Sequence, residues 1–524
     1  MNLADFVVQH QNDDLSDLVL HRDRYPDVDV ALAAECIAAR RKLRYKVPEW
    51  YADPELICPV ALSAEQCSST ATARYKAAVA EEACRLPLNA IREEQRARPC
   101  PVKGPRSGHC SSASLQPALP DAQRAEARGF EPEANARLSV HGGGRDGACP
   151  AGDVGSPGAA GVLGAEPPQK AIRRIADLTG GLGVDCWQFA GIADRVLYNE
   201  MNPLLFEAAK ANLGRLGCGN VEFSNLCIDA GTLPGLLDSF RPDLVFADPA
   251  RRSEGRKVFL PEDCLPDVLA LQDIVLGRGC TMLLKLSPMA DISLMLRKFH
   301  CVKAVHVVEA DRECKELLLL LEPGFGGSPE MTVAIVDDPS SYRVATFDYP
   351  ALATAVPTYI AAMPEPGQIL FEPGPALMKS GALNALSSSL GLPKLGPSAH
   401  CLCLGEDRLE HDKVYRALDG FGKLFKVEEA ATFGKASLRD FAVRWPGADV
   451  TARALPLSSD ELRLKIASLR KKAPRGGSPS ALGSPPSLGI PSEISSGTHS
   501  SGTDLHLFGV GTSIGRLLIA ARRT

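Results

Sequence analysis

Apolar positions recur at helical spacing from Ala31 to Leu43 and again from Ala64 to Leu86, set among Ala, Arg, Lys and Glu, so residues 1–97 read as a helical N-terminal unit. From Arg174 onward the period changes. Short β-type runs at Ile175–Leu178, Arg195–Tyr198, Val221–Phe223, Leu244–Ala247 and Thr281–Lys285 alternate with helical stretches, which predicts a parallel sheet with crossover helices over 171–350. His306–Glu309 and Glu316–Leu321, turning at Asp311 and Arg312, read as an antiparallel pair that closes this sheet, and their charged spacing fits an edge. Beyond Tyr349 the pattern mixes strands (Gln368–Phe371, Lys423–Val427, Asp449–Ala454, Leu505–Gly509, Arg516–Ala521) with a helix over Ala376–Leu390. This predicts a small ferredoxin-like α+β domain over 351–410 and a second α+β domain over 411–524. Two tracts lack large apolar residues: 98–170 and 474–502 are dominated by Pro, Gly, Ser and Ala, and both read as disordered insertions.

Composition narrows the class. Of 524 residues, 45% are hydrophobic and 23% charged, values typical of folded soluble proteins. The net charge of -5 excludes a global basic field, so any contact with nucleic acid must be local. Met1–Leu20 carries Asp5, Asp13, Asp14 and Asp17 and lacks the order of a signal peptide, and the longest apolar runs fall far short of the roughly 20 residues of a membrane span. A cytoplasmic protein without membrane contact is expected. The 16 Cys residues form no paired C-x-x-C framework; His400, Cys401 and Cys403 are the one close cluster, in an apolar stretch, and no metal is expected.

The most informative stretch is Asp177-Leu178-Thr179-Gly180-Gly181-Leu182-Gly183-Val184-Asp185, which follows a predicted strand and opens a predicted helix. Glycines at 180, 181 and 183 allow a tight turn and let a ligand approach the backbone, and the helix presents free N–H groups. Alone, such a turn is an ordinary strand-to-helix connection about half the time. It is not alone: the next strand ends at Glu200, about 20 residues on, where a carboxylate grips a ribose diol. Asp229 follows the third strand, where it would border an adenine, and the fourth strand runs into Asp248-Pro249-Ala250-Arg251-Arg252. In an open α/β sheet, chemistry sits beyond the carboxyl ends of the strands, which is where this last motif falls.

On these residues the chain resembles the class I S-adenosylmethionine-dependent methyltransferases, and more narrowly a bacterial group whose catalytic domain carries a THUMP-like C-terminal domain. DLTGGLGVD resembles the cofactor loop, Glu200 the ribose acid, Asp229 the adenine-side acid and DPAR the fourth motif. The resemblance covers most of the chain outside the two low-complexity tracts, including Leu62–Lys76, Leu370–Pro373 and Leu455–Leu457. It implies a Rossmann-like methyltransferase sheet, a THUMP-like domain over 411–524, S-adenosylmethionine as cofactor, and a base in ribosomal or transfer RNA as acceptor. It also implies that Asp177, Thr179, Gly180, Gly181, Gly183, Asp185, Glu200 and Asp229 hold the cofactor, with Leu62–Lys76 covering its methionine end.

Methyl transfer is an in-line displacement that needs a positioned acceptor and the management of one proton. Asp248 is expected to orient the acceptor, with the Pro249 carbonyl as a second hydrogen-bond acceptor and Arg251 beside them. DPAR lacks the aromatic of the Asn-Pro-Pro-aromatic form, which would stack on a planar base. Arg251 and Arg252 instead suit phosphate, with Arg256 and Lys257 extending the cluster, and Lys285 and Ser287 are expected to line the acceptor pocket. Similar DPxR motifs occur in pyrimidine C5-methyltransferases, which need a Cys nucleophile; Cys264, Cys280 and Cys314 are present, although nothing around them signals a lowered pKa. The basic run Lys465–Arg475 suits either phosphates or a solvated helix face. Two alternatives stand beside RNA methylation: a non-catalytic RNA- or nucleotide-binding module of the same fold, and methylation of a protein or small molecule.

Overall fold

The computed structural model describes residues 2–85, 136–142, 173–251, 260–405, 414–415, 418–471 and 504–524. They belong to two compact units, Met1–Ala134 with Val140–Val344 and Asn135–Ser139 with Ala345–Thr524. Six helices come first: α1 (Leu3–Gln9), α2 (Leu15–Leu20), α3 (Val30–Lys46), α4 (Pro48–Ala52), α5 (Ala61–Gln66) and α6 (Thr70–Arg85). Asn2, Asp14 and Asp29 cap the first three by accepting from free backbone N–H groups. Spacing predicts one helix from Ala64 to Leu86, but the structure breaks it at Cys67, whose backbone is extended. The hydroxyl-rich Ser68-Ser69-Thr70 explains the break: Ser69 Oγ accepts from Thr72 N at 3.2 Å and so caps a new helix. These helices are not a free-standing unit. Ala39, Leu43, Val47, Trp50, Ala64 and Ala73 share one core with Leu182, Val184 and Leu205 of the following α/β segment.

Strand β1 (Ala136–Gly142) lies inside the tract expected to be disordered, a correction to that reading; the rest of the tract is outside the described residues. Then follow β2 (Arg174–Asp177), α7 (Val184–Ala190), β3 (Arg195–Asn199), α8 (Pro203–Arg215), β4 (Val221–Ser224), α9 (Leu233–Phe240), β5 (Leu244–Ala247), β6 (Ala250–Arg251), β7 (Cys264–Leu265), α10 (Val268–Leu276), β8 (Thr281–Leu286), α11 (Ile292–Lys298), β9 (Val302–Ala310), β10 (Glu313–Leu321), β11 (Glu330–Asp338) and β12 (Ser341–Asp348). Ten of these strands make one sheet in the order β1-β12-β11-β9-β10-β8-β5-β2-β3-β4, while β6 and β7 form a separate two-stranded ribbon. Strands β4, β3, β2, β5 and β8 run parallel, as the alternation of runs predicts. Strand β10 is antiparallel to both of its neighbours.

The turn between β9 and β10 falls where expected, with Asp311 and Arg312 both at positive φ. The pair is not an edge, however. Leu317–Leu321 are all buried, and β11 pairs with β9 on the far side. Charge at Glu309 and Glu316 suggests an edge only if the mostly apolar run Met331–Val336, which supplies the covering strand, is passed over.

The other unit is built on a second sheet. Strands β13 (Ile369–Pro373), β14 (Leu402–Leu404), β15 (Gly422–Thr432), β16 (Asp449–Arg453), β17 (Leu505–Thr512) and β18 (Gly515–Arg523) lie in the order β14-β13-β15-β18-β17-β16. A boundary between 410 and 411 therefore falls inside one sheet, because β13 pairs with β15 across it. Alternation along β18 shows that both faces are covered: Leu517, Ile519 and Ala521 enter one core, Leu518 and Ala520 the other. The helix expected over Ala376–Leu390 is two, Pro375–Ser380 and Leu383–Leu390, separated by Gly381 at φ +73. Cys401 and Cys403 are buried, which pushes their thiols up to about 12 and about 11. Among the described residues no set of three His, Cys, Asp or Glu side chains is arranged to hold a metal, and no helix is long and apolar enough to cross a membrane.

Candidate active site

Strand order reverses between β2 and β5, so the loops leaving these two strands part and leave a crevice beyond their carboxyl ends. The loop after β2 is Leu178–Gly183. Its glycines are required by geometry: a Cβ on Gly180 would stand 2.1 Å from Tyr198 Cε2, and Gly181 and Gly183 sit at φ +54 and +90. Tyr198 pins the turn by donating its hydroxyl to Gly181 O at 2.6 Å. On the open side of Gly181 no atom lies within 4 Å of a built Cβ, so the backbone there is bare to the crevice. Thr179 ties the two loops together, since its Oγ1 accepts from Asp248 N at 2.7 Å.

Asp177 ends β2 fully buried. Its Oδ1 accepts from Thr179 N at 3.0 Å, and Oδ2 has no hydrogen-bond partner among the described residues. Burial, reinforced by the charge of Asp185, holds this carboxyl well above the usual range. Glu200 ends β3 at the crevice, as expected, but both of its oxygens accept backbone N–H groups: Gly181 N on Oε2 at 2.9 Å and Asn202 N on Oε1 at 2.8 Å.

Asp229 is not in the crevice. It is exposed, and its Oδ1 accepts from Gly231 N and Thr232 N at 2.8 Å each, a local turn that lowers its pKa. The residues just before it, Leu226, Cys227 and Ile228, form that wall instead. Asn199, absent from the sequence expectations, positions them: its buried amide donates to Leu178 O and Leu226 O and accepts from Leu226 N at 3.0 Å. The signal for Asp229 as a cap was present in Asp-Ala-Gly-Thr, a turn-forming run.

The crevice holds a cleft of about 230 Å³ lined by Ser63, Gln66, Cys67, Ser68, Leu178–Leu182, Val184, Asp185, Asn199, Glu200, Met201, Leu205, Leu226–Ile228, Asp248, Ala250, Leu265 and Pro266. Thus Thr179, Gly180, Gly181, Asp185, Glu200 and Asp248 come together as expected, with Asp177 and Gly183 supporting the turn beneath. The break between α5 and α6 supplies Cys67 and Ser68 to the same cleft wall. Met201 and Leu226 leave 51% and 41% of their surface exposed at one end, an apolar rim.

A second cavity, about 650 Å³, adjoins the first and shares Gln66, Asp248 and Ala250 with it. Pro249, Cys264, Lys285, Ser287, Pro288, Met295 and Lys315 are among its other walls. Of the expected residues, Pro249, Lys285 and Ser287 therefore belong here. The backbone of Arg251 pairs with Cys264 in the β6–β7 ribbon, while Arg252, Arg256 and Lys257 lie outside the described residues. Of the remaining cysteines, Cys280 is buried at the opposite end of β8 and donates to Pro242 O, and Cys314 lies in β10.

Lys285 is not a free cation for a substrate. Its Nζ donates to Asp248 Oδ2 at 2.5 Å and stands 4.0 Å from Glu316 Oε2. Burial by itself lowers an amine, but the carboxylates of Asp248, Glu316 and Asp185 outweigh it and raise Lys285 above the ordinary lysine range. Behind it, Lys76 is completely buried and donates to Glu316 at 2.9 and 3.0 Å and to Ser68 Oγ at 2.9 Å, with Asp185 Oδ1 3.2 Å away. Sequence reasoning passed over Lys76 and Glu316. A lone charge on the apolar face of α6 and another leading the leucine run of β10 were the available signals.

Comparison with known proteins agrees on the fold. A family model for a ferredoxin-like domain matches residues 370–402, inside the expected 351–410 segment. No curated protein matches the chain. A solved structure from Porphyromonas gingivalis W83, provisionally described as a methyltransferase, is similar over 100% of this chain and 97% of its own, at 22% identity and a TM-score of 0.65. An rRNA methylase from Streptococcus thermophilus matches 29% of this chain and 86% of its own, at 15% identity and a TM-score of 0.22. A provisionally described methyltransferase from Streptococcus mutans, solved with SAH, matches 29% and 88%, at 13% identity and a TM-score of 0.21. The first similarity supports the fold; the other two are too distant to carry an argument. The chain is an α/β protein with a Rossmann-like methyltransferase sheet and a separate α+β C-terminal unit, the class expected from its sequence.

Proposed function

We propose that the chain is an S-adenosylmethionine-dependent methyltransferase whose acceptor is a base in ribosomal or transfer RNA. The observation that carries this reading is the meeting of two cavities at Asp248–Ala250, just beyond the strand reversal. One is built for a nucleoside cofactor and the other is free for an acceptor. The residues present fit such a cofactor: the open space over Gly181, which a Cβ would fill, lets a ligand approach the turn closely, the acid at Glu200 supplies an acceptor, and the apolar rim of Met201 and Leu226 supplies a ring-sized wall. When bound, the cofactor supplies an electrophilic methyl on a sulfonium. The chain's own part is then to orient the acceptor and hold its proton. Asp248, tethered by Thr179 and Lys285, presents a carboxylate at the junction to accept an N–H from the acceptor.

An RNA acceptor is supported by charge. Arg251, Arg252, Arg256 and Lys257 follow Asp248 within nine positions, and the described residues flanking this segment, Ala250 and Leu260, both line the second cavity. Labelled cofactor incubated separately with total RNA, protein extract and metabolites tests the proposal: label is expected in RNA. Label in protein or metabolites alone replaces the acceptor, and binding of cofactor without label in any fraction favours a non-catalytic nucleotide-binding module.

One observation favours a carbon rather than a nitrogen acceptor, namely Cys264 in the wall of the second cavity. Cys264→Ala separates the two readings. Transfer retained means a nitrogen acceptor, and transfer abolished with cofactor binding intact means a pyrimidine C5 acceptor, made nucleophilic by thiolate addition at C6 and released when loss of the C5 proton expels the thiolate.

A further inference from the structure

Asp185, Lys76, Glu316, Lys285 and Asp248 form a continuous string of alternating charge. The successive separations are 3.2, 2.9, 4.0 and 2.5 Å. The string has a direction. Its two ends, Asp185 and Asp248, both line the cofactor cleft, while Lys76 and Glu316, with 0% and 2% of their side chains exposed, are sealed behind it. Two of the three anions therefore stand at the cleft surface, while neither cation reaches it; Lys76 and Glu316 are sealed behind and Lys285 faces the second cavity. With every member ionised, three carboxylates against two ammonium groups leave the string with one net negative charge.

Stability does not account for this arrangement. Burying ions is costly, and a buried pair is often replaced by apolar side chains without loss. Tyr75, Ala77, Val79, Ala80 and Leu318, chain neighbours of Lys76 and Glu316, all belong to one buried apolar core, which shows what this layer otherwise accepts. In a low-dielectric wall an uncompensated unit charge acts over several ångströms on whatever occupies the cleft. It favours an occupant carrying one positive charge over a neutral occupant of the same shape.

We propose that Lys76 and Glu316 are positioning residues that set the net charge of the cleft wall, so that the site distinguishes the sulfonium form of its ligand from the neutral thioether left after transfer. This rests on the cofactor reading above. Neither residue touches the cleft; each acts through Asp185, Lys285 and Asp248. The design also has a consequence for turnover: once the methyl has gone, the occupant no longer matches the wall, which promotes its exchange for a fresh cofactor.

The test is calorimetric binding of S-adenosylmethionine and S-adenosylhomocysteine to the full chain and two variants. Wild type is expected to bind the sulfonium at least about tenfold more tightly than the thioether, the scale of a unit charge in a partly screened wall. Glu316→Gln removes one negative charge from the string and should cut the wild-type preference severalfold, mostly through loss on the sulfonium side. The double variant Lys76→Gln with Glu316→Gln removes one charge of each sign, returns the string to one net negative, and should recover the wild-type preference. That recovery is the readout a purely structural role would not produce.

Equal binding of both ligands by wild type overturns the proposal whether or not the variants fold. So does a Glu316→Gln variant with unchanged preference, or a double variant no better than the single. Failure of wild type to bind either ligand refutes the cofactor reading instead, so the two failures are distinguishable.

Discussion

The two cavities that meet at Asp248 are made in different ways. The cofactor cleft is made largely of backbone, a glycine turn held by Tyr198 and Asn199, with apolar side chains at its rim. The adjoining cavity, proposed for the acceptor, is made of side chains pinned by ion pairs, foremost Lys285 on Asp248. The difference teaches where each is fragile. A backbone cradle fails when a single Cβ intrudes, whereas a cavity of pinned side chains keeps its shape and loses its chemistry when one charge is removed.

The sharpest way to break the comparison is Gly180→Val. Its Cβ would stand 2.1 Å from Tyr198 Cε2, so the ring must leave and the turn with it; cofactor binding should be undetectable by calorimetry. Next comes Asp248→Asn, which keeps shape and removes charge. Methyl transfer at saturating cofactor should fall at least about 100-fold in a labelling assay, the usual scale for a lost proton acceptor, while S-adenosylmethionine affinity falls only about as far as in Glu316→Gln, since the same unit of charge is lost from the string. Undiminished transfer would take Asp248 out of the mechanism. Glu200→Ala should weaken cofactor binding about tenfold, since it frees Gly181 N and Asn202 N as well as removing the acid, with little change in transfer at saturating cofactor.

Asp229→Ala should do least at the site. Cofactor affinity should match wild type, and only the melting temperature should fall, modestly, through loss of the turn at Gly231 and Thr232. Hydrogen bonds from Thr232 N and Gly231 N lower the Asp229 pKa, so its contribution is complete above the unfolded value near about 4 and is lost as pH falls through the folded one. The melting difference between wild type and this variant should therefore shrink on acidification below about pH 4. A drop in affinity equal to that of Glu200→Ala would return Asp229 to the cleft.

Local pattern was enough for much of this molecule. Alternating runs specified the five parallel strands within one or two residues of their bounds, because a strand buried on both faces must be apolar throughout and must end where polar or glycine residues begin. The glycine turn was legible for the same kind of reason: positive φ and close packing on Tyr198 demand residues without a Cβ, and that demand is written in single letters.

What local pattern could not decide was which partner a side chain finds at long range. Asp229 and Glu200 look alike as acids after strands, yet one turns back on its own loop and the other reaches Gly181. Lys76 and Glu316 meet only because α6 packs beside the sheet that holds β10, 240 positions further along the chain. Strands β11 and β12, by covering β9, made an interior pair out of an apparent edge. Periodicity and turn chemistry depend on neighbours a few residues away and are set by sequence directly; charge pairing and sheet order depend on contacts that exist only once the chain has folded.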